Sequence, residues 1–133
     1  MDRWRNGPRL LPVTLVMGGI FYQSHQLGTS FSLPEIVNID KLLHALVYAG
    51  LGLAFLYALP PPWRHRHPWL TMGTMVLFCL SYGVFDEWHQ SFVPGRIASG
   101  ADVAADVGGG FLVVIGNLGW RRWRKMKGDR GAP

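Results

Sequence analysis

Apolar residues occur in four long runs along the chain, and most polar residues collect between these runs. The runs cover residues 10–22, 40–59, 70–88 and about 101–120. The run from Asp40 to Leu59 has the length of about 20 residues that a helix needs to cross the hydrocarbon core of a bilayer. The first run is short, and three glycines at 108–110 interrupt the last one. The pattern predicts an all-α membrane protein, a single domain over residues 1–133 with four transmembrane helices.

The segments between and after the runs differ in character. Residues 27–39 contain no cation, and Ser32 with Glu35 has the spacing of a capping box, which favours a brief helix at the membrane interface. Residues 60–69 are rich in proline and basic side chains and are expected to form a loop. The tail at 121–133 is also basic and is typical of a loosely ordered segment.

Composition supports the membrane location. Apolar residues make up 49% of the chain and charged residues 16%, which is more apolar than a soluble domain of this size. The formal net charge is +5, yet the cations form no stripe interleaved with base-stacking aromatic residues, which argues against nucleic-acid binding. The only cysteine, Cys79, lies inside an apolar run, so a disulfide framework is excluded.

The distribution of cations indicates the orientation, because Lys and Arg are retained on the cytoplasmic side of a membrane. The N-terminus, the 60–69 loop and the C-terminal tail hold eleven of the thirteen, leaving Lys41 and Arg96. We therefore expect both termini in the cytoplasm and the polar helix ends at the outer face.

Polar side chains at these outer ends recur every fourth residue, a spacing that places them on one face of a helix. They form three stripes on the second, third and fourth helices: Asp40, His44 and Tyr48; Tyr82, Asp86 and Gln90; and Asp102, Asp106 and Gly110. Because charged groups are costly to hold near hydrocarbon, the stripes should face one another, water and cations. The sequence therefore predicts a polar pocket at the outer face of the bundle.

Negative charge exceeds positive charge among these residues. The carboxylates are Asp40, Asp86, Glu87, Asp102 and Asp106, and the opposing groups are Lys41, Arg96, His44 and His89. The excess is resolved if one carboxyl group stays protonated, if a divalent metal binds, or if the ligand is a cation. These three outcomes stay open, so no metal or cofactor is assigned.

Three segments resemble the VanZ-like family of small bacterial membrane proteins: DKLLHALVY at 40–48, YGVFDEWHQSFVPGR at 82–96 and DVAADVGG at 102–109. The resemblance covers about residues 36–119. It implies a helical bundle in the cytoplasmic (inner) membrane, a cell-envelope setting and a link to glycopeptide (teicoplanin) resistance, but no settled reaction. The characteristic polar positions that it implies are Asp40, Lys41, His44, Tyr48, Asp86, Glu87, His89, Gln90, Arg96 and Asp102. Where the family usually has Asn, this chain has Asp106.

The leading functional hypothesis rests on Arg96, which follows a Pro94–Gly95 turn at the outer face. A guanidinium group can hold a phosphate or carboxylate in a bidentate fork, so the pocket is expected to bind a membrane lipid or a phosphate-bearing, lipid-linked envelope intermediate. The candidate catalytic residues are His44, Asp86 and Glu87. The candidate ligand-binding residues are Asp40, Lys41, Tyr48, His89, Gln90, Arg96, Asp102 and Asp106.

Whether the protein is an enzyme is left open. The alternative is a non-catalytic binding or immunity protein whose charged cluster is a salt-bridge network between helices. For His44, a hydrogen bond to a neighbouring carboxylate is the commoner role, and acid/base catalysis or metal ligation are the alternatives. A transporter is less favoured, because four helices leave little room for alternating access without dimerisation, and a homo-oligomer is left open.

Overall fold

The computed structural model describes residues 7–27 and 39–129, and every regular element in these ranges is a helix. The helices are α1 (Gly7–Ser24), α2 (Ile39–Ala58), α3 (Pro61–Arg66), α4 (Pro68–Gln90) and α5 (Gly100–Asp129). Within the described ranges, three of them, α2, α4 and α5, are long and apolar enough to cross a membrane. The all-helical fold is therefore confirmed, with three candidate membrane spans.

Helix α1 covers the predicted run at 10–22 but is less apolar than the other long helices. It has 18 residues, begins with Gly7, Pro8 and Arg9, and contains Pro12 in its interior. It is not among the three candidate spans. The fourth transmembrane helix therefore stays a prediction.

Two predictions about connecting segments were wrong. The segment at 60–69 contains the short helix α3, and Pro61 and Pro62 are in its first turn. Proline is tolerated there because backbone N–H groups in the first turn of a helix have no hydrogen-bond acceptor within the helix. The basic tail was expected to be loosely ordered, but it is helical as far as residue 129. In this part of α5 the rings of Trp120 and Trp123 stack at 4.9 Å, and Lys127 Nζ lies 4.6 Å from the Trp123 ring. These contacts join successive turns and stabilise the helix. The expected interfacial helix falls largely on residues 28–38, outside the described residues.

Helices α1 and α4 run in the same direction. The Tyr82 hydroxyl donates to the Met17 carbonyl oxygen at 2.7 Å, and Gln90 Nε2 donates to Ser24 Oγ at 3.2 Å. Residue numbers thus increase in the same direction along both helices. The polar residues at the C-terminal ends of α1 and α4 therefore lie at the same level.

Helices α2 and α5 run opposite to this pair and pack against each other most extensively. A Cβ atom at Gly109 would overlap the carbonyl oxygen of Ala45 and lie 2.8 Å from the backbone nitrogen of Ala49. Gly109, one of the three glycines that interrupt the last apolar run, is thus where α5 approaches α2 most closely in this contact. Close approach of the two backbones fixes how the polar residues that begin α2 and α5 face each other.

Candidate functional site

A tight turn sets the position of Arg96. The Arg96 backbone N–H donates to the Val93 carbonyl at 3.1 Å, and Gly95 has a φ of 79°. Proline followed by a glycine with positive φ is the signature of a type II turn, which only glycine adopts without strain at this position. The turn that Pro94 and Gly95 predict is therefore present.

The Arg96 side chain reaches back across the bundle to the end of α1. Its Nε donates to the Gln26 carbonyl at 3.2 Å, and its Nη2 donates to the Gln23 carbonyl at 2.8 Å. The final carbonyls of a helix lack helical donors and carry partial negative charge, so a guanidinium stabilises this end. Arg96 is only partly exposed, and Nη1 donates to no group among the described residues.

A cavity of about 530 Å³ lies between α1, α2 and α4, with Arg96 at its wall. Its apolar lining is Val16, Ile20, Leu27, Leu43 and Val47, and its polar lining is Gln23, Ser24, Asp40, His44, Tyr48, Asp86, Gln90 and Arg96, with Gly19 between them. The volume is in the range of natural small-molecule sites. Six of the eleven predicted site residues therefore share one cavity.

The polar wall contributed by α4 is buried and hydrogen-bonded. Asp86 is 3% exposed, and its Oδ2 accepts a hydrogen bond from Gln90 Nε2 at 3.0 Å. The same amide donates to Ser24 Oγ, which is also buried. Gln23 and Ser24 were missed from the sequence, although they belong to a polar stretch that closes an apolar run, the same signal that identified Asp86 and Gln90.

His44 and Asp106 connect α2 to α5. His44 Nδ1 lies 2.9 Å from Asp106 Oδ1, and Asp106 is fully buried. Its second oxygen, Oδ2, has no hydrogen-bond partner among the described residues. A Cβ atom at Gly83 would lie 2.7 Å from this oxygen, so glycine at 83 makes room for the carboxylate.

Lys41 lies between two carboxylates at the N-terminal end of the same helix pair. Its Nζ is 2.7 Å from Asp40 Oδ2 and 3.1 Å from Asp102 Oδ1. Asp102 is the better shielded of the two acids, with a side chain that is 13% exposed against 46% for Asp40. This is the inter-helix ion pairing that the salt-bridge alternative predicts.

Glu87 lies beside the first turn of α5. Its Oε2 accepts a hydrogen bond from the backbone N–H of Ser99 at 2.6 Å, and the partial positive charge of a helix N-terminus favours a carboxylate there. The residue is 5% exposed, and its second oxygen, Oε1, has no partner among the described residues. Glu87 does not line the cavity and faces the α2–α5 contact instead.

His44, Glu87 and Asp102 bring three potential ligand atoms together. One ring nitrogen and one oxygen from each carboxylate all lie within 4.8 Å of one another. We call these three residues the α2–α4–α5 cluster, since each comes from a different helix. His44 belongs both to the cluster and to the cavity wall, so the two features adjoin.

His89 is separated from the other predicted residues. Its Nε2 lies 3.3 Å from Nδ1 of His25, and its ring stacks on Phe21 at 4.5 Å. It does not line the cavity. His25, which directly follows α1, is exposed and contacts His89 on α4, a pairing that neither local sequence indicates.

Comparison with known proteins identifies one relationship. A family model described as VanZ/LLP1 matches residues 3–119. Searches of curated proteins and of solved structures find no match to the chain. The match extends the resemblance of the sequence motifs to include α1.

Proposed function

The chain belongs to the VanZ/LLP1 family, and on that premise we propose that its cavity binds the head group of a phosphate-bearing, lipid-linked component of the cell envelope. The family and the three apolar helices indicate a multi-pass membrane protein. The observation that carries the proposal is a cavity whose lining changes from apolar to polar towards the outer helix ends.

We also propose that the protein lies in the cytoplasmic (inner) membrane and that α1 crosses it. The protein then has four spans, with both termini in the cytoplasm. The Arg9 guanidinium lies 5.8 Å from the ring of Tyr57, near the end of α2. At its other end α1 reaches the level of Gln90 through Ser24. A helix that extends beside its neighbours from one end of the bundle to the other supports a spanning position for α1 despite its lower hydropathy.

The cavity suits an amphiphile better than a small polar solute. Val16, Ile20 and Val47 lie towards the middle of their helices, at the level of the Tyr48 side chain. Ser24, Asp40, Asp86 and Gln90 lie near the outer helix ends, as do the apolar Leu27 and Leu43. A lipid chain placed along the apolar side chains would leave its head group beside the polar ones. Burial of the chain would supply most of the affinity, and the polar end would supply selectivity.

Two cavity residues suit a phosphate group. Nη1 of Arg96 provides a charged donor that no described residue uses, while Nε and Nη2 hold α1 in place. The Gln90 amide adds a neutral donor that is already oriented by Asp86. If the bound lipid is turned over, His44 and Asp86 are the cavity residues able to transfer a proton.

The salt-bridge alternative is a second candidate, and one observation favours it. Lys41 bridges Asp40 and Asp102, and Arg96 closes the end of α1, so both fixed cations of the outer level already have structural partners. In that case, polar substitutions lower stability and leave ligand binding unchanged.

A direct test compares binding of a polyprenyl phosphate, the corresponding polyprenol and inorganic phosphate to the purified full chain in detergent. We expect the lipid phosphate to bind at least tenfold more tightly than the alcohol, since one charge-assisted hydrogen bond is worth about 1.4 kcal/mol or more. Arg96→Gln should remove most of this difference, whereas Arg66→Gln, on the exposed surface of α3, should not.

Glycine substitutions in α1 provide a second, steric test. A side chain added at Gly19 meets open space and would occupy the cavity, whereas Gly18 also has open space but does not line it. Gly19→Leu should therefore weaken lipid binding at least tenfold, with Gly18→Leu as the matched control. Equal binding by both variants, or equal binding of phosphate and alcohol, contradicts the proposal.

A further inference from the structure

Among the described residues, protein groups do not fully compensate the negative charge in the α2–α4–α5 cluster. Glu87 and Asp102 are both well shielded from solvent, and the Lys41 ammonium contacts only Asp102 of these two. No Lys, Arg or His nitrogen lies within salt-bridge distance of Glu87 among the described residues. A buried carboxylate in this position needs a proton, ordered water or a cation.

The unpartnered oxygen of Glu87 points to a ligand. Oε2 is held by the Ser99 N–H, which fixes the orientation of the carboxylate, while Oε1 has no donor although Glu87 is only 5% exposed. Leaving such an oxygen buried without a partner is unfavourable, and more so when the group is charged. The cluster therefore contains a buried, oriented acceptor that no described protein group uses.

The contact between His44 and Asp106 prepares the imidazole for coordination. Nδ1 lies 2.9 Å from the Asp106 carboxylate, and a neutral ring that donates its proton there presents the lone pair of Nε2. A carboxylate behind a metal-binding histidine fixes its tautomer and raises its basicity. Asp106 thus has the position of a supporting residue, not of a ligand.

From this geometry we propose that His44, Glu87 and Asp102 bind one divalent transition-metal ion, with manganese or zinc the best match to one imidazole and two carboxylates. Imidazole favours zinc and carboxylate favours manganese, and either ion is held at about 2.0–2.2 Å. Ligand atoms around such an ion are separated by roughly 3–3.5 Å. Since the three atoms already lie within 4.8 Å of one another, small side-chain rotations complete the site.

The ion would give the proposed function its main positive charge. His44 is the one cluster residue that also lines the cavity, so a metal held by the cluster would adjoin the cavity wall at His44 and attract a lipid phosphate there. Two of the five N–H donors of Arg96 are engaged with α1, and the metal would add a second cation beside the cavity. His44 would then be a ligand, leaving Asp86 to transfer protons. This consequence rests on the proposed function, whereas metal binding itself does not.

The test uses the full chain in detergent, stripped with a chelator and titrated calorimetrically with manganese chloride or zinc chloride in the absence of lipid. We expect one saturable site per chain. His44→Gln and Glu87→Gln should each weaken binding about 100-fold or more. Asp86→Asn removes a neighbouring buried carboxylate outside the cluster, and His65→Gln removes an exposed imidazole on α3, and each should change affinity less than about threefold.

Electron paramagnetic resonance of the manganese-loaded wild-type chain gives a readout that needs no variant. Coordination by His44 predicts hyperfine coupling to one nitrogen nucleus. Absence of saturable binding, absence of nitrogen coupling, or unchanged affinity in a folded Glu87→Gln variant overturns the metal site. Because no lipid is present, such a failure leaves lipid binding standing, and a failure of lipid binding leaves the metal site standing.

Discussion

His44 on α2 and Asp106 on α5 are joined at 2.9 Å between Nδ1 and Oδ1, with the Asp106 side chain fully buried. The contact lies one turn further along α2 and α5 than the ion pair of Lys41 and Asp102 on the same two helices. It fixes the register of α2 against α5 beside His44, the residue that the cavity and the cluster share.

Two substitutions of Asp106 distinguish the contribution of its hydrogen bond to His44 from the contribution of its negative charge. Asp106→Asn keeps an oxygen that accepts the His44 hydrogen bond, so we expect thermal stability to change by less than about 1 kcal/mol. Asp106→Ala leaves the half-buried imidazole without its partner and opens a cavity at a fully buried side chain, so it should reduce stability by about 2–4 kcal/mol. The measurement is thermal unfolding in detergent by tryptophan fluorescence. Equal losses in both variants would show that the hydrogen bond to His44 is not what stabilises this contact.

The packing of α2 against α5 gives a prediction with a control on the same helix. Gly109→Ala places a Cβ atom into the Ala45 carbonyl, so the helices must separate, and we expect a loss of at least about 2 kcal/mol of stability. The adjacent Gly108 has nothing within 4 Å of an added Cβ, and Gly108→Ala should be neutral or stabilise by up to about 1 kcal/mol. Unfolding midpoints of the two purified variants are compared with the wild type.

The sequence predicted the helices and the level of their polar ends because both follow from short-range patterns. The length of the apolar runs locates α2, α4 and α5 to within a few residues, except that α5 continues past the predicted end at 120. Spacing of four residues places Asp40, His44 and Tyr48 on one wall, and all three line the cavity. Sequence patterns are sufficient to predict these features because each feature belongs to a single helix.

Which side chains meet across helices could not be predicted, because this depends on helix rotation and register. Asp86 and Glu87 are neighbours in sequence, yet Asp86 lines the cavity whereas Glu87 faces Ser99 and the cluster. The partners of Arg96 are backbone carbonyls of Gln23 and Gln26, and a carbonyl gives no signal in the sequence.

The Arg96 contacts predict a local effect on dynamics. Arg96→Gln removes the charged donors from the final carbonyls of α1, so the last turn of that helix should open more often. We expect faster amide hydrogen exchange, by about fivefold or more, in residues 20–26, with exchange in the middle of α5 unchanged. Arg66→Gln removes an exposed guanidinium at the other end of the bundle and should leave α1 unchanged. Uniformly faster exchange throughout the chain would instead indicate global destabilisation.

The position of α1 decides between three and four spans, and labelling of single cysteines can measure it. In a Cys79→Ala background, three exposed positions are replaced separately by cysteine: Gly7 at the start of α1, Arg66 at the end of α3, and Ala98 between α4 and α5. Four spans with both termini inside predict that a membrane-impermeant maleimide labels only Ala98→Cys in intact spheroplasts. The other two variants should react after permeabilisation. If Gly7→Cys is labelled in intact spheroplasts while Arg66→Cys is not, α1 does not cross the bilayer, and the apolar half of the cavity is then at the membrane surface instead of within it.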